Sequence, residues 1–145
     1  MEGPFCVLPL VRHPDPAAGD SPRIATSTTA LGFSAEREAA RHLKTLGYRV
    51  VARNVRTVRG EIDLIAWEGE TLCFVEVKSR AHADFGGARA AVDHAKQSRL
   101  WKAAEAYLAL NDLVAGELPE CRFDVVAMHR LGPNRWEIEL FRHAF

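Results

Sequence analysis

The chain has 145 residues, with 19 Lys and Arg against 19 Asp and Glu. This length predicts one domain with a proper core, and no apolar run is long enough to span a bilayer. A net charge of zero gives no global indication of nucleic-acid binding, so local charge must be examined. The start lacks a signal peptide's basic and apolar regions, and three widely spaced cysteines disfavour a disulfide framework or zinc site. We therefore expect a cytoplasmic protein with no membrane partner.

Residues 1–29 hold five of the seven prolines and show no helical or strand periodicity. This composition predicts a proline-rich flexible N-terminal extension, to which we assign no function. The single domain is expected to cover residues 30–145.

A first helix is predicted from Leu31 to Leu46, after capping residues at 27–29. Its apolar stripe contains Ala35, Ala39, Leu43 and Leu46. Glu36 lies at the edge of that stripe, where a helix-surface glutamate is the ordinary interpretation.

Between Arg41 and Gly60 the chain has six basic residues and no acidic residue. A strand from Tyr48 to Val55 is predicted within this stretch. Such a stretch suits the approach of a polyanion, although a solvated charged face has the same composition. The six are Arg41, Lys44, Arg49, Arg53, Arg56 and Arg59.

The centre of the chain reads as a hairpin of two strands, Gly60–Trp67 and Thr71–Lys78. Glycine in the turn Glu68-Gly69-Glu70 suits a tight hairpin. With a two-residue loop, the pairs are Trp67 with Leu72, Ile65 with Phe74, Asp63 with Glu76, and Glu61 with Lys78.

Opposed residues share a face of the sheet, and like charges placed opposite each other are destabilising. Setting Asp63 against Glu76 therefore has no stability reason, whereas a hard cation such as Mg²⁺ would supply one. A solvated outer face with Glu and Lys is the other interpretation, and these residues alone do not decide between the two.

After Ser79-Arg80, a loop through His82, Phe85, Gly86 and Gly87 leads to a helix predicted from about Ala90 to Leu110. Its stripe contains Leu100, Trp101, Ala104, Tyr107 and Leu108. Lys96, one turn before Leu100, is placed to reach the strand ends that carry the carboxylates. Strands at 121–128 and 135–142 complete the chain, and the helix between them and the hairpin is long enough for a parallel crossover.

The spacing of Asp63 and Glu76-Val77-Lys78 resembles the PD-(D/E)XK signature of restriction-endonuclease-like nucleases, although Ile62 stands where the signature has proline. From Leu31 to Phe145 the chain more closely resembles the uncharacterised bacterial YraN-type family. The matching pieces are 32–36, Arg53-Asn54-Val-Arg56, Gly60–Ile65, Phe74–Arg80, Phe85-Gly86, Lys96, Arg122-Phe-Asp124 and Ala144-Phe145.

This resemblance implies an α/β fold with an α-β-β-β-α-β core, a mixed central sheet flanked by helices, and here an extra C-terminal strand. It implies that Asp63 and Glu76 hold Mg²⁺ or Mn²⁺, with Glu36 added as in resolvases of the fold. Lys78 would orient or activate the attacking water. Glu61 is a further ligand or, as we favour, an ion-pair partner of Lys78, and Lys96 is an accessory. The expected nucleic-acid contacts are Arg49, Arg53, Arg56, Arg59 and Arg80.

Three functions follow as hypotheses. The first is a Mg²⁺-dependent endonuclease acting on DNA rather than RNA, on branched or damaged structures, as a homodimer if it resembles the resolvases. The second is a nucleic-acid-binding protein that keeps the fold without turnover, which zero net charge favours modestly. The third is an interaction protein whose charged hairpin face is simply solvated.

Overall fold

Within the described part of the chain, the helices and strands follow one another in the order that the sequence predicts. The computed structural model describes residues 27–80, 92–111, 113 and 118–145, with the backbone alone at 27–31, 33 and 80. Helix α1 spans Ser27–Thr45 and helix α2 spans His94–Leu110. The strands are β1 (Arg49–Thr57), β2 (Gly60–Glu68), β3 (Thr71–Arg80), β4 (Cys121–Gly132) and β5 (Arg135–Phe141). Residues 1–26 of the predicted N-terminal extension and the loop through His82, Phe85, Gly86 and Gly87 lie outside the described residues, whereas residues 27–29 begin α1.

The five strands form one mixed sheet in the order β1-β2-β3-β4-β5. Strands β3 and β4 are parallel, and the other neighbours are antiparallel. The predicted α/β class, with its parallel crossover through α2 and its extra C-terminal strand, is confirmed. Neither described helix is long and apolar enough to cross a membrane.

Each face of the sheet is covered by one helix, because residues alternate between faces along a strand. Leu100, Ala103 and Tyr107 of α2 pack on one face with Ile65 and Phe74. Ala35, Ala39 and Leu43 of α1 pack on the other face with Leu64 and Val75. The site described below therefore has α1 on one face of the sheet and α2 on the other.

The β2–β3 hairpin has the predicted register. Trp67 pairs with Leu72 and Ile65 pairs with Phe74. Gly69 in the turn has φ +59°, a conformation that glycine adopts without strain. Because this turn fixes the register, it also fixes which residues of β2 and β3 approach each other at the far end of the hairpin.

Three expectations about the helices are corrected. Helix α1 begins at Ser27 rather than Leu31, so the residues expected to cap it form its first turn. Leu46 lies beyond the end of α1 and is 44% exposed. Trp101 is 50% exposed, because only part of its ring packs, with its centroid 4.5 Å from that of Phe123.

A buried charged network anchors the C-terminus to the sheet. Asp124 is fully buried and accepts hydrogen bonds from Arg122 Nε at 2.8 Å, Tyr48 Oη at 3.2 Å and the His143 N–H at 3.2 Å. Phe145 stacks on Phe123 with ring centroids 5.0 Å apart. Buried charges are tolerated when they are paired and hydrogen-bonded, so this cluster is structural and explains why Arg122-Phe-Asp124 and the terminal residues occur together.

Candidate active site

Asp63 lies where β2 and β3 separate. The pairs between these strands run from Glu68–Thr71 to Leu64–Val75 and stop there, one residue before Asp63 would meet Glu76. The Val77 N–H instead donates to Asp63 Oδ2 at 2.8 Å. Where the regular pairing ends, the Asp63 side chain thus accepts a hydrogen bond from the β3 backbone.

The same position interrupts the alternation of β2. Ile62 and Ile65 both pack in the cluster under α2, whereas Leu64 packs under α1. Strict alternation would place Ile62 and Leu64 on one face. The irregularity therefore falls at Asp63.

Glu76 is nearly buried on β3 and is held by two ammonium groups. Lys96 of α2 donates to Glu76 Oε1 in a short contact, and Lys78 Nζ lies 3.4 Å from the same oxygen. Asp93 caps α2 by accepting the Lys96 N–H at 2.7 Å, which fixes the start of the helix beside the strand. Lys96 therefore does reach the carboxylates, as its position in the sequence predicts.

Glu36 of α1 completes a group of acidic side chains. Its carboxylate lies close enough to Glu76 and Glu61 for their charges to raise its pKa, although burial is the largest cause of that rise. One of its oxygens, Oε2, is buried and has no hydrogen-bond partner among the residues that the structure describes. An unpaired buried carboxylate oxygen is costly, so this oxygen is a candidate to bind a cation.

Burial and like charge perturb Asp63 most strongly. Desolvation, followed by the Glu76 charge, raises the pKa of Asp63 to about 7, against the hydrogen bond from Val77 that lowers it. Glu36 adds to the rise and Lys96 opposes it. Carboxylates whose pKa is raised by neighbouring carboxylates occur at functional sites more often than elsewhere.

The two lysines differ in basicity. Burial lowers the pKa of Lys78, and the nearby Lys96 ammonium adds to this effect against the pull of Glu76. The pKa of Lys96 is raised despite desolvation, because it takes the stronger bond to Glu76. Lys78 is therefore the more easily deprotonated of the pair.

Glu61 corrects the sequence interpretation. Its carboxylate pairs with Arg56 Nε across the β1–β2 hairpin at 3.0 Å, where cross-strand pairing sets the two residues opposite each other. The favoured partner, Lys78, instead contacts Glu76. The pairing of β1 with β2, which sets Arg56 opposite Glu61, decides this contact.

The candidate metal ligands lie near one another without forming a closed cage. In the described residues, no three His, Cys, Asp or Glu side chains form a metal-binding group, and the Glu76 Oε1 oxygen is held by Lys78 and Lys96. The three-carboxylate ligand set expected at Glu36, Asp63 and Glu76 therefore stays a prediction. Mg²⁺ usually uses one or two carboxylates with waters and phosphate oxygens, and the unpaired Glu36 oxygen with the raised pKa of Asp63 fits that requirement.

The predicted nucleic-acid contacts are exposed on β1 and its turn. Arg49, Arg53, Arg56 and Arg59 are all exposed. The first three lie on β1, which is the edge strand of the sheet, and Arg59 lies in the turn that leads into β2. The Arg80 side chain lies outside what the structure describes.

Comparison with known proteins gives the family. The family model described as "Uncharacterised protein family UPF0102" matches residues 35–128. A UPF0102 protein of Chlorobaculum tepidum is 45% identical over 120 residues, covering 79% of this chain and 91% of that protein. A UPF0102 protein of Symbiobacterium thermophilum is 45% identical over 115 residues, covering 79% and 95%, and one of Dechloromonas aromatica is 44% identical over 119 residues, covering 82% and 91%.

The chain belongs to family UPF0102. This is the YraN family, which is related to the restriction-endonuclease-like superfamily. The relationship predicted from the motifs is thereby confirmed. The UPF0102 match includes every candidate site residue from Glu36 to Lys96, and the family name carries no activity.

Proposed function

We propose that this UPF0102 protein is a Mg²⁺-dependent endonuclease that hydrolyses phosphodiester bonds in DNA, on branched or damaged structures. The observation that carries the proposal is the separation of β2 from β3 at Asp63, beside a nearly buried Glu76 held by two lysines. A solvated hairpin face would leave these groups exposed and apart, so the third hypothesis is not supported.

The acidic groups supply the ligands for a cation. Asp63 and Glu76 project from neighbouring strands, and Glu36 lies beside them with one unpaired oxygen. When bound, Mg²⁺ would polarise the phosphoryl oxygen and lower the pKa of a bound water. Glu76 would exchange its lysine contacts for this new partner, which frees positive charge beside the substrate.

Lys78 is suited to hold and move the proton of the attacking water. Its lowered pKa brings its proton-exchange equilibrium nearer to neutral pH, where acid–base catalysis is most effective. Lys96 keeps its charge more strongly and is placed to offset the negative charge that develops on the phosphate. The two lysines thus divide proton transfer and charge stabilisation between them.

The arginines of β1 account for substrate approach. Their side chains are exposed on the strand adjacent to β2, which carries Asp63. Cations that contact phosphates bind nucleic acid of any sequence and make the affinity depend on salt. This arrangement gives binding a local basis in a chain whose net charge is zero.

A second candidate is a nucleic-acid-binding protein without turnover. The observation that favours it is the occupation of Glu76 by Lys96 and Lys78, which leaves no ready-made metal cage among the described residues. In that case Glu76 would keep its contacts with Lys78 and Lys96 when DNA binds, and no metal would replace them.

The test is calorimetric titration of Mg²⁺ and Mn²⁺ into the wild type and Asp63→Asn, with a DNA cleavage assay on branched and linear duplexes. Glu70→Gln, in the exposed turn of the same hairpin, is the matched control. We expect metal binding and cleavage in the wild type and the control, and neither in Asp63→Asn. DNA binding without metal binding or cleavage would instead favour the second candidate.

A further inference from the structure

Asn54 has an unusual backbone conformation inside a strand. Its φ is +48°, and the other two non-glycine residues with positive φ in the described ranges, Asn134 and His143, lie outside the strands. L residues avoid this region, and asparagine is among the few that tolerate it. Such conformations persist where the surrounding structure holds them, often at functional sites.

The strained residue lies opposite Asp63. Pairs between β1 and β2 pass from Arg53–Leu64 to Val55–Ile62 and omit Asn54–Asp63. The β2–β3 pairs also stop beside Asp63. Asp63 therefore has no regular pairing partner on β1 or β3 among the described strands, and Asn54 is the β1 residue that lies opposite it.

The Asn54 side chain also contacts helix α1. Its amide acts as a hydrogen-bond donor toward the Glu36 carboxylate, and this contact opposes the rise in the Glu36 pKa. Within the described ranges, the buried Glu36 Oε2 has no hydrogen-bond partner. The Glu36 carboxylate thus accepts a hydrogen bond from Asn54, while its Oε2 atom has no partner among the described residues.

We infer that Asn54 is a positioning residue that holds Glu36 toward Asp63, leaving one Glu36 oxygen free for a divalent cation. The residue with the positive φ is thus also the one whose side chain hydrogen-bonds to Glu36 of α1. The inference rests on the proposed function for the identity of the ligand. The contact between Asn54 and Glu36 itself does not depend on it.

The test uses Asn54→Gly, because glycine adopts the same φ without strain while the substitution removes the side chain that carries the amide. Asn134→Gly is the matched control, since Asn134 has φ +55° in the turn between β4 and β5. A double-mutant cycle with Glu36→Ala isolates the contact. Urea unfolding of metal-free protein and Mn²⁺ titration by calorimetry are measured on the wild type and all variants.

In metal-free protein, we expect Asn54→Gly to lower the urea midpoint in the wild-type background and to lower it less in Glu36→Ala. The Mn²⁺ affinity should fall about tenfold in Asn54→Gly, as for residues that orient a ligand, and less than about twofold in Asn134→Gly. In Glu36→Ala, Asn54→Gly should weaken Mn²⁺ binding no further.

Equal effects of Asn54→Gly in both backgrounds would overturn the positioning role, whether or not metal binds. An Mn²⁺ affinity unchanged by Asn54→Gly would also overturn it. A wild type that binds no Mn²⁺ would overturn the proposed function, and with it the ligand role of Glu36, while the urea cycle would still decide whether Asn54 holds that residue.

Discussion

The raised pKa of Asp63 predicts that the metal-free protein stores repulsion at this site. Asp63 titrates near 3.8 in the unfolded chain and at about 7 in the folded protein. A carboxylate whose folded pKa is the higher one favours folding when it is protonated. Its full contribution is therefore present below about pH 4 and is lost as the pH rises through about 7.

Asparagine at this position has the same shape and carries no charge. Each unit of pKa shift corresponds to about 1.4 kcal/mol, so the wild type loses on the order of 2–3 kcal/mol at Asp63 between pH 5 and pH 8. Asp63→Asn escapes this loss because it carries no charge at either pH, and the hydrogen bond from Val77 is already included in the pKa shift.

We therefore expect the stability of Asp63→Asn relative to the wild type to rise by about 2–3 kcal/mol between pH 5 and pH 8. In a domain of this size the gain corresponds to roughly 5–10 °C in Tm. Urea unfolding at pH 5, 6.5 and 8 with a chelator present measures the difference directly.

Glu70→Gln is the control for removing one negative charge from the same hairpin, and its effect should be small at each pH. The reasoning fails if the gain in Asp63→Asn is equal at pH 5 and pH 8, or smaller at pH 8. Either result would mean that burial and the neighbouring carboxylates do not raise the pKa of Asp63 in the folded protein.

Three further predictions concern chemistry, binding and folding. Lys78→Met should retain Mn²⁺ binding within about threefold and lose at least about a hundredfold in cleavage rate; wild-type cleavage would remove Lys78 from the reaction. Replacing Arg53 and Arg56 by Gln should reduce the slope of log affinity against log salt by up to about 2 for duplex DNA, and an unchanged slope would exclude them from the interface. Asp124→Ala should lower the free energy of unfolding by about 3–5 kcal/mol, because it removes the fully buried carboxylate that pairs with the Arg122 guanidinium, whereas exposed Glu139→Ala should change it by less than about 0.5 kcal/mol; similar values for both would contradict the structural role of the network.

The sequence by itself determined the order of elements and the register of the central hairpin. Alternating apolar residues define β2 and β3, and Gly69 fixes the turn between them, so Asp63 and Glu76 were predictable as neighbours. The reach of Lys96 also followed from its place one turn before Leu100. These features depend on local periodicity and short separations along the chain, which sequence patterns report well.

Only the tertiary structure decided how the site is completed. The strands separate at Asp63, Glu61 turns to Arg56, and Asn54 takes a positive φ to meet Glu36. These outcomes depend on the pairing of β1 and on the packing of α1 above the sheet. The only local signal for Asn54 was its residue type, since asparagine tolerates positive φ. Its residue type does not predict which side chain it contacts. The partner is supplied by a helix that lies 18 residues earlier in the chain and is brought to this position by its own buried face.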